Sequence, residues 1–161
     1  MSKGKLPITP AIRLLRSENV VFSDHPYTYE EKGGTAVSAR ELGVDEQCVI
    51  KTLIMEDEAK RPLVILMHGN LQVSTKELAR QINVKQISPC SPETAQRHTG
   101  YQIGGTSPFG TQRDMPVYME ETIAELEKIH INGGKRGYLI GMTPGELVRV
   151  LKPVLVKVGI R

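Results

Sequence analysis

Aromatic residues are scarce in this sequence: they make up 4% of its 161 residues, and tryptophan is absent. This excludes a broad aromatic platform for stacking the bases of a long single strand. The longest apolar run, residues 63–67, is far shorter than the roughly 18 residues that a membrane span requires. The first ten residues contain no apolar segment after their lysines, which predicts no secretory leader.

Cysteine is also rare. Cys48 and Cys90 are too few for a disulfide framework and fit a reducing compartment, so we expect a cytoplasmic protein with no membrane partner. The four histidines lie far apart in the sequence and have no second ligand at metal spacing. We therefore predict neither a metal site nor another cofactor.

The length and charge of the chain are those of one mildly basic domain. Its 161 residues suit a single domain spanning 1–161, with a net charge of +3 and a pI of about 8.9. Residues 128–161 carry seven Lys or Arg against one acidic residue. This basic C-terminal segment permits an anionic partner without requiring one.

Local signals predict interspersed helices and strands. Helix starts are predicted after Thr9, Ser38, Ser74, Ser91 and Thr143, because each precedes a proline or a glutamate at capping spacing. Strands are predicted over residues 48–56, 62–69, 115–121, 128–132, 138–142 and 154–159, with a further edge strand within 20–29. Two probable hairpins and short helices predict an α+β fold with a mixed, mainly antiparallel sheet.

Lys51 interrupts a strand that is apolar on both faces. Alternation places it beside Val49 and Leu53, so the strand is predicted to be buried on both sides. Burying an unpaired ammonium is costly, which leaves two interpretations. Either the lysine extends to solvent at the strand's end, or it lies in a cleft and binds an anionic ligand group.

Two glycine-rich segments are each open to two interpretations. Residues 100–110 form either an ordinary turn or a loop whose backbone N–H groups face a ligand. Residues 133–137 are predicted as a hairpin turn, because the P-loop pattern fails there. Lys135 and Arg136 in this turn are then either solvated or in contact with nucleic-acid phosphates.

No catalytic nucleophile stands out. Ser107 lacks the surroundings of a nucleophile elbow, and both cysteines are interpreted as packed thiols. An enzyme with this inventory needs its substrate to supply the reacting group.

Five motifs together resemble the YbaK/EbsC family, over roughly residues 9–158. They are TPAIRLL near the start, HPY around Tyr27, IKTL around Lys51, TGYQIGGTSPFG, and INGGKRG. The sequence is similar to the editing insertion domain of bacterial prolyl-tRNA synthetases. The resemblance implies an α+β fold with a partly barrel-like sheet surrounded by short helices.

The resemblance also implies an activity, the deacylation of misacylated tRNA and above all of Cys-tRNA(Pro). In this family the cysteine thiol of the substrate attacks its own ester, so no protein nucleophile is needed. The tRNA acceptor end is then the ligand, and prolyl-tRNA synthetase is the expected partner that supplies tRNA identity.

Site residues are carried over from the family motifs. Lys51 would hold the aminoacyl-adenosine end, and Gly104 would present its backbone to the reacting ester. The substrate-binding residues implied by the resemblance are Tyr27, Gly105, Thr106, Ser107 and Asn132. Asn132 stands where relatives often have serine, and Thr106 occupies a position that varies among them. Lys135 and Arg136 remain the candidates for tRNA-phosphate contacts.

Two other functions stay open. One is deacylation of tRNA charged with another small amino acid, such as alanine. The other is a non-catalytic module that binds tRNA or a synthetase, although phosphate binding alone requires neither Lys51 nor the glycine loop.

Overall fold

The computed structural model describes residues 6–161, so the first five residues of the predicted 1–161 domain lie outside it. Five α-helices are present: α1 (Pro10–Ser17), α2 (Gly34–Leu42), α3 (Thr75–Gln81), α4 (Pro92–Thr99) and α5 (Pro144–Leu151). Four of them begin where the sequence predicts. In each of these four the N-cap hydroxyl accepts a hydrogen bond from a backbone N–H of the first turn, which satisfies an otherwise unpaired donor.

The start of α2 differs from the prediction. The helix begins at Gly34 instead of after Ser38, and its C-cap, Gly43, has a left-handed conformation. Ser38 is buried within the helix, where its hydroxyl donates to the Thr35 carbonyl oxygen at 3.2 Å. A serine hydroxyl bonds backward in a helix as readily as it caps one, so the Ser38–Glu41 spacing was misleading.

Ten strands are present in the described part of the chain. They are β1 (Ser23–Pro26), β2 (Val49–Asp57), β3 (Pro62–His68), β4 (Gln72–Val73), β5 (Ile87–Pro89), β6 (Val117–Glu120), β7 (Ile129–Lys135), β8 (Tyr138–Met142), β9 (Val154–Val156) and β10 (Gly159–Ile160). Between β6 and β7 lies a 3₁₀-helix, Glu121–Glu125.

The main sheet is mixed. Its strands follow the order β1-β8-β7-β2-β3-β6-β9, β5 pairs with the end of β2, and β4 and β10 form a separate pair. The pairs β2–β7, β3–β6 and β6–β9 are parallel, and the other five are antiparallel. This mixed sheet confirms the predicted α+β class. In the described chain β1 and β9 are the two edge strands of the sheet and do not pair with each other, so the sheet is not a closed barrel.

The second hairpin turn is tighter than predicted. Strand β7 continues through Gly133 and Gly134 to Lys135, so the turn consists of Arg136 and Gly137 alone. The Asn132 side-chain oxygen accepts from the N–H groups of Gly134 (2.6 Å) and Lys135 (3.1 Å). These bonds lie at a register shift in the β7–β8 pair, where Asn132 pairs with Leu139 and Lys135 with Tyr138 while the two glycines between them have no partner in β8.

The core lies on both faces of the central strands. Every residue of β3 is buried, and the largest apolar cluster joins β2, β7 and β8 to α1 and α5. A smaller cluster joins α2 to Val49 and Leu139 on the opposite sheet face. Among residues 6–161, no helix is long and apolar enough to cross a membrane.

Candidate active site

A cavity of about 490 Å³, here called the first cavity, lies where α2, β2, the 101–110 loop and the β7–β8 hairpin meet. Six of the nine predicted site residues line it: Tyr27, Lys51, Gly104, Thr106, Asn132 and Arg136. These residues come from four distant segments, so the fold brings together what the sequence keeps apart. A concave, largely apolar cavity with a few convergent polar groups is typical of a small-ligand site.

Lys51 enters the first cavity from the middle of β2, where the strand is only partly covered. Its ammonium donates a hydrogen bond to the carbonyl oxygen of Leu71, the residue before β4. Burial lowers the pKa of Lys51, and the nearby Glu46 carboxylate acts in the opposite direction. Within residues 6–161 Lys51 forms no salt bridge, so the ammonium faces the cavity with a neutral partner and can bind an anionic or carbonyl oxygen of a ligand.

Gly104 lies at the exposed edge of the cavity with a φ of +84°, which a residue with a side chain rarely adopts. A Cβ at this position would come within 2.5 Å of the Tyr29 hydroxyl oxygen. The Asn132 amide nitrogen donates to the Gly104 carbonyl at 3.3 Å. Among the turn and loop hydrogen bonds of the described residues, none uses the Gly104 N–H, whereas the Gly105 N–H donates to Gln102 at 2.8 Å. The Gly104 N–H thus has no hydrogen-bond partner among the described residues, at a position on the edge of the cavity.

Three predicted residues do not line the first cavity. Gly105 is buried against the β7–β8 turn, where a Cβ on Gly105 would come within 2.7 Å of the backbone nitrogen of Arg136. Ser107 is fully buried, and its hydroxyl oxygen accepts from the Phe109 N–H at 3.2 Å. Lys135 is exposed beside the cavity. Gly105 and Ser107 thus lie on the buried side of the 101–110 loop, and Lys135 lies outside the first cavity.

Arg136 is held more firmly than either interpretation of the hairpin expected. Its Nε donates to the Ile103 carbonyl oxygen at 2.7 Å, and its guanidinium lies 5.2 Å from the ring centroid of Tyr29. The side chain therefore connects the hairpin to the glycine loop and to the wall before α2.

Tyr27 also lines the cavity, and its backbone N–H donates to the Gly137 carbonyl oxygen at 2.8 Å, in the β7–β8 turn. Burial, with a contribution from Tyr29, raises the pKa of the Tyr27 phenol. The Tyr27 phenol thus stays neutral at physiological pH and can donate a hydrogen bond.

Sequence reasoning missed the wall formed by residues 29–35. Tyr29, Glu30, Glu31 and Thr35 line the cavity, and the Thr35 hydroxyl donates to Glu46 at 2.7 Å and to the Gly69 carbonyl at 3.1 Å. The prediction started α2 after Ser38, so it did not place residues 29–35 beside the site. The available signal was the pair of glycines at residues 33 and 34, which are the N-cap and the first residue of α2.

None of the residues that line the first cavity is a histidine or cysteine. Burial raises the pKa of the Cys90 thiol to about 11, with Glu56 contributing, so this thiol is a poor nucleophile at neutral pH. The part of the chain that the structure describes holds no group of three or more His, Cys, Asp or Glu residues arranged for a metal ion.

The fold and the site define an α+β domain with one cavity that is lined by both Lys51 and Gly104. The chain belongs to the aminoacyl-tRNA editing domain family, whose model matches residues 30–150. This confirms the predicted resemblance and the prediction of an aminoacyl-tRNA editing enzyme of the deacylase type, with tRNA as its substrate.

Individual relatives agree with the family. EbsC of Enterococcus faecalis, described as a candidate Cys-tRNA(Pro)/Cys-tRNA(Cys) deacylase, is 28% identical over 137 residues, which cover 84% of each chain. Part of the proline–tRNA ligase of Thermodesulfovibrio yellowstonii is 29% identical over 147 residues, covering 90% of this chain and 24% of the ligase. The crystal structure of a candidate trans-editing enzyme for prolyl-tRNA synthetase shares the fold, with a TM-score of 0.81 at 19% identity over 96% of this chain and 100% of that one.

Proposed function

We propose that this protein acts in trans on misacylated tRNA, with Cys-tRNA(Pro) as its preferred substrate, and that the cysteine thiol of the substrate is the nucleophile. The observation that carries this proposal is a cavity that offers Lys51 and the Gly104 N–H but has no histidine or cysteine in its lining. The similarity to EbsC and to a segment of a proline–tRNA ligase supports the choice of substrate.

In the proposed reaction, the thiolate sulfur attacks the carbonyl carbon of its own aminoacyl ester. The new C–S bond creates an oxyanion, and collapse breaks the bond to the ribose oxygen, which takes up the proton lost by the thiol. The products are uncharged tRNA and a cyclic thiolactone. Because the attacking group is tethered, positioning lowers much of the barrier.

The residues have separate roles in this scheme. The Gly104 N–H donates to the oxyanion, a kind of contact whose loss typically costs about 10²–10³-fold in rate. The Lys51 ammonium binds an oxygen of the aminoacyl-adenosine end, and Tyr27, Thr106 and Asn132 shape the pocket around it. Gly105 and Ser107 hold the 101–110 loop in place from its buried side.

The basic residues of the hairpin have a matching proposed role. Lys135 is exposed beside the cavity and contacts a tRNA phosphate, while Arg136 both contacts the acceptor end and holds the loop. Such contacts add affinity without reading sequence, so prolyl-tRNA synthetase is the proposed partner that selects the tRNA.

The test is a deacylation panel with purified protein and tRNA(Pro) charged with cysteine, serine or alanine. Serine differs from cysteine by replacing the sulfur with oxygen, so it isolates the thiol. We expect rapid loss of cysteine only, and loss of activity by about 10²-fold or more in Lys51→Met. Lys60→Met is the matched control, because Lys60 is exposed at the β2–β3 turn and pairs with Glu56 there.

Equal rates for cysteine and serine would overturn the thiolactone mechanism. Cleavage of Ala-tRNA(Pro) alone would assign the enzyme to another small amino acid. Tight tRNA binding without deacylation of any charged tRNA would instead indicate a binding module.

A further inference from the structure

A second cavity of about 320 Å³ adjoins the first. The two share four lining residues, Thr52, Leu53, Ile103 and Thr106. The remaining lining of the second cavity comes from the end of β2, from residues 89–92, from α4 and from Tyr101. It is mostly apolar, contains no charged side chain, and offers polar groups from Gln96 and the two threonines.

Thr52 stands in the wall between the cavities with an unpaired hydroxyl. Its Oγ1 is buried and has no hydrogen-bond partner among residues 6–161. Leaving such a group unpaired costs about 1–3 kcal/mol, so a partner from outside the chain is favoured. Thr52 is one of the residues that line both cavities.

The lining of each cavity indicates which part of an aminoacyl-nucleoside it suits. The α-amino group of the ligand is cationic, and the only carboxylates in the described lining of either cavity, Glu30 and Glu31, belong to the first. The second cavity is uncharged and far larger than a cysteine side chain. A flat, neutral nucleobase with polar edges matches an apolar cavity that carries a few hydrogen-bonding groups.

Positive charge lies beside the second cavity. Arg97 follows Gln96 on α4, and its charge acts to lower the pKa of the lining residue Cys90. Arg113 approaches the same helix, with its Nη1 3.5 Å from the Nδ1 of His98. Both arginines are exposed and can reach the phosphates that precede a terminal nucleotide.

We propose that the second cavity binds the nucleobase of the terminal adenosine of tRNA, and that the Thr52 hydroxyl binds the ribose between the cavities. This rests on the proposed function, because it takes aminoacyl-tRNA as the ligand. The aminoacyl ester then lies in the first cavity beside Lys51, and base and ester are held on opposite sides of Thr52.

Binding of uncharged RNA tests this without any chemistry. Fluorescence anisotropy would give the Kd of the wild-type protein for a labelled acceptor-stem minihelix ending in CCA and for one ending in CC. We expect the terminal adenosine to tighten binding about tenfold or more. Ala95→Leu fills the second cavity from α4, so it should weaken CCA binding to the level of CC binding and leave the latter unchanged.

Two further variants separate binding from folding. Thr52→Val removes the unpaired hydroxyl at nearly constant volume, so it should keep or raise the Tm while weakening CCA binding. Ala124→Leu is the matched control, because Ala124 is exposed and lines neither cavity.

Equal wild-type affinity for CCA and CC ends, or an undiminished preference for CCA in Ala95→Leu, would overturn the subsite. A change only in the ratio of Cys-tRNA to Ala-tRNA deacylation would assign the cavity to the amino-acid side chain and also overturn it. Wild-type preference for CCA, abolished in Ala95→Leu but without deacylation, would support the subsite and reject the proposed function. Deacylation of Cys-tRNA without that preference would reject the subsite alone.

Discussion

The Nε of Arg136 donates a 2.7 Å hydrogen bond to the carbonyl oxygen of Ile103, across 33 residues of sequence. This bond joins the β7–β8 turn to the residue immediately before Gly104. The same guanidinium lies against the ring of Tyr29, and a Cβ on Gly104 would lie 2.5 Å from the Tyr29 hydroxyl oxygen and 3.3 Å from the Arg136 Nε. The position of the proposed oxyanion donor thus depends on a contact between two loops.

Replacing Arg136 by lysine should separate its two proposed roles. Lysine keeps the charge but lacks the planar guanidinium that reaches Ile103 and stacks on Tyr29. We expect kcat for deacylation to fall about tenfold or more, in line with the loss of a charge-assisted hydrogen bond, while the salt dependence of tRNA binding stays as in the wild type.

Lys135→Ala is the complementary variant, because Lys135 is exposed next to Arg136. If it contacts one phosphate, the slope of log K against log salt should decrease by about 1, with kcat preserved. An unchanged salt slope would remove Lys135 from the tRNA interface.

Gly104→Ala should impair catalysis beyond the cost of its backbone conformation. Gly43 provides the matched control: both glycines have positive φ, but a Cβ at Gly43 meets nothing within 4 Å. Each alanine should therefore cost about 1–2 kcal/mol in the free energy of unfolding, and only Gly104→Ala should reduce deacylation strongly.

Adding Tyr29→Phe to Gly104→Ala removes the hydroxyl oxygen that the new Cβ would meet at 2.5 Å. Partial recovery of kcat in the double variant is expected. Equal kcat in Gly104→Ala and Gly43→Ala would contradict the role of the Gly104 backbone.

The pH dependence of deacylation should report the ionisation of Lys51. Burial lowers the pKa of its ammonium below the ordinary 10.5, so the charged form is lost at lower pH than for an exposed lysine. If the charge is needed, activity should decline on the alkaline side as pH rises through this lowered pKa.

Lys51→Arg stays charged throughout, because the pKa of arginine lies above 12. The ratio of wild-type to variant rates cancels the ionisation of the substrate thiol, once spontaneous hydrolysis is subtracted. This ratio should fall with rising pH, and a constant ratio between about pH 7 and 10 would show that the Lys51 charge is not required.

His130 should make the fold sensitive to acid. The ring is buried, its Nδ1 has no hydrogen-bond partner among the described residues, and the ring centroid of His25 lies 4.8 Å away. Burial, His25 and Lys128 lower the pKa of His130 to about 4. Between about pH 6.5 and 4 the His130 side chain is protonated in the unfolded chain but neutral in the folded protein. The free energy of unfolding therefore falls as pH decreases from 6.5 toward 4.

This effect amounts to as much as about 3 kcal/mol. Urea unfolding at several pH values should show a flatter acid slope for His130→Gln than for the wild type. His98→Gln is the comparison: burial and Arg113 also lower the pKa of His98, but this residue is only half-buried on α4, so its replacement should flatten the slope less. Parallel slopes for wild type and His130→Gln would assign the acid sensitivity to other groups.

Local rules predicted most elements but failed where tertiary contacts decide between equivalent local options. The Ser38–Glu41 spacing satisfied the capping pattern, yet the helix begins at Gly34, and the Thr35 side chain is held by Glu46 and Gly69. Similarly, the glycines before Lys135 joined the strand because the Asn132 side chain supports a register shift. The Thr35 contacts reach across 11 and 34 residues, so a window of a few residues does not reveal them, whereas the Asn132 bonds span only two and three residues.

The sequence by itself determined the α+β class, because caps and alternating apolar positions are local signals. It also identified Lys51 and Gly104 as residues out of place in an ordinary strand or turn, since a lysine among apolar neighbours and clustered glycines both require an explanation. Only the tertiary structure decided which of these residues share a cavity, and that Tyr29 and Arg136 hold the loop. Cavities form between segments far apart in the chain, and the packing that leaves Thr52 without a partner between two of them depends on the whole fold.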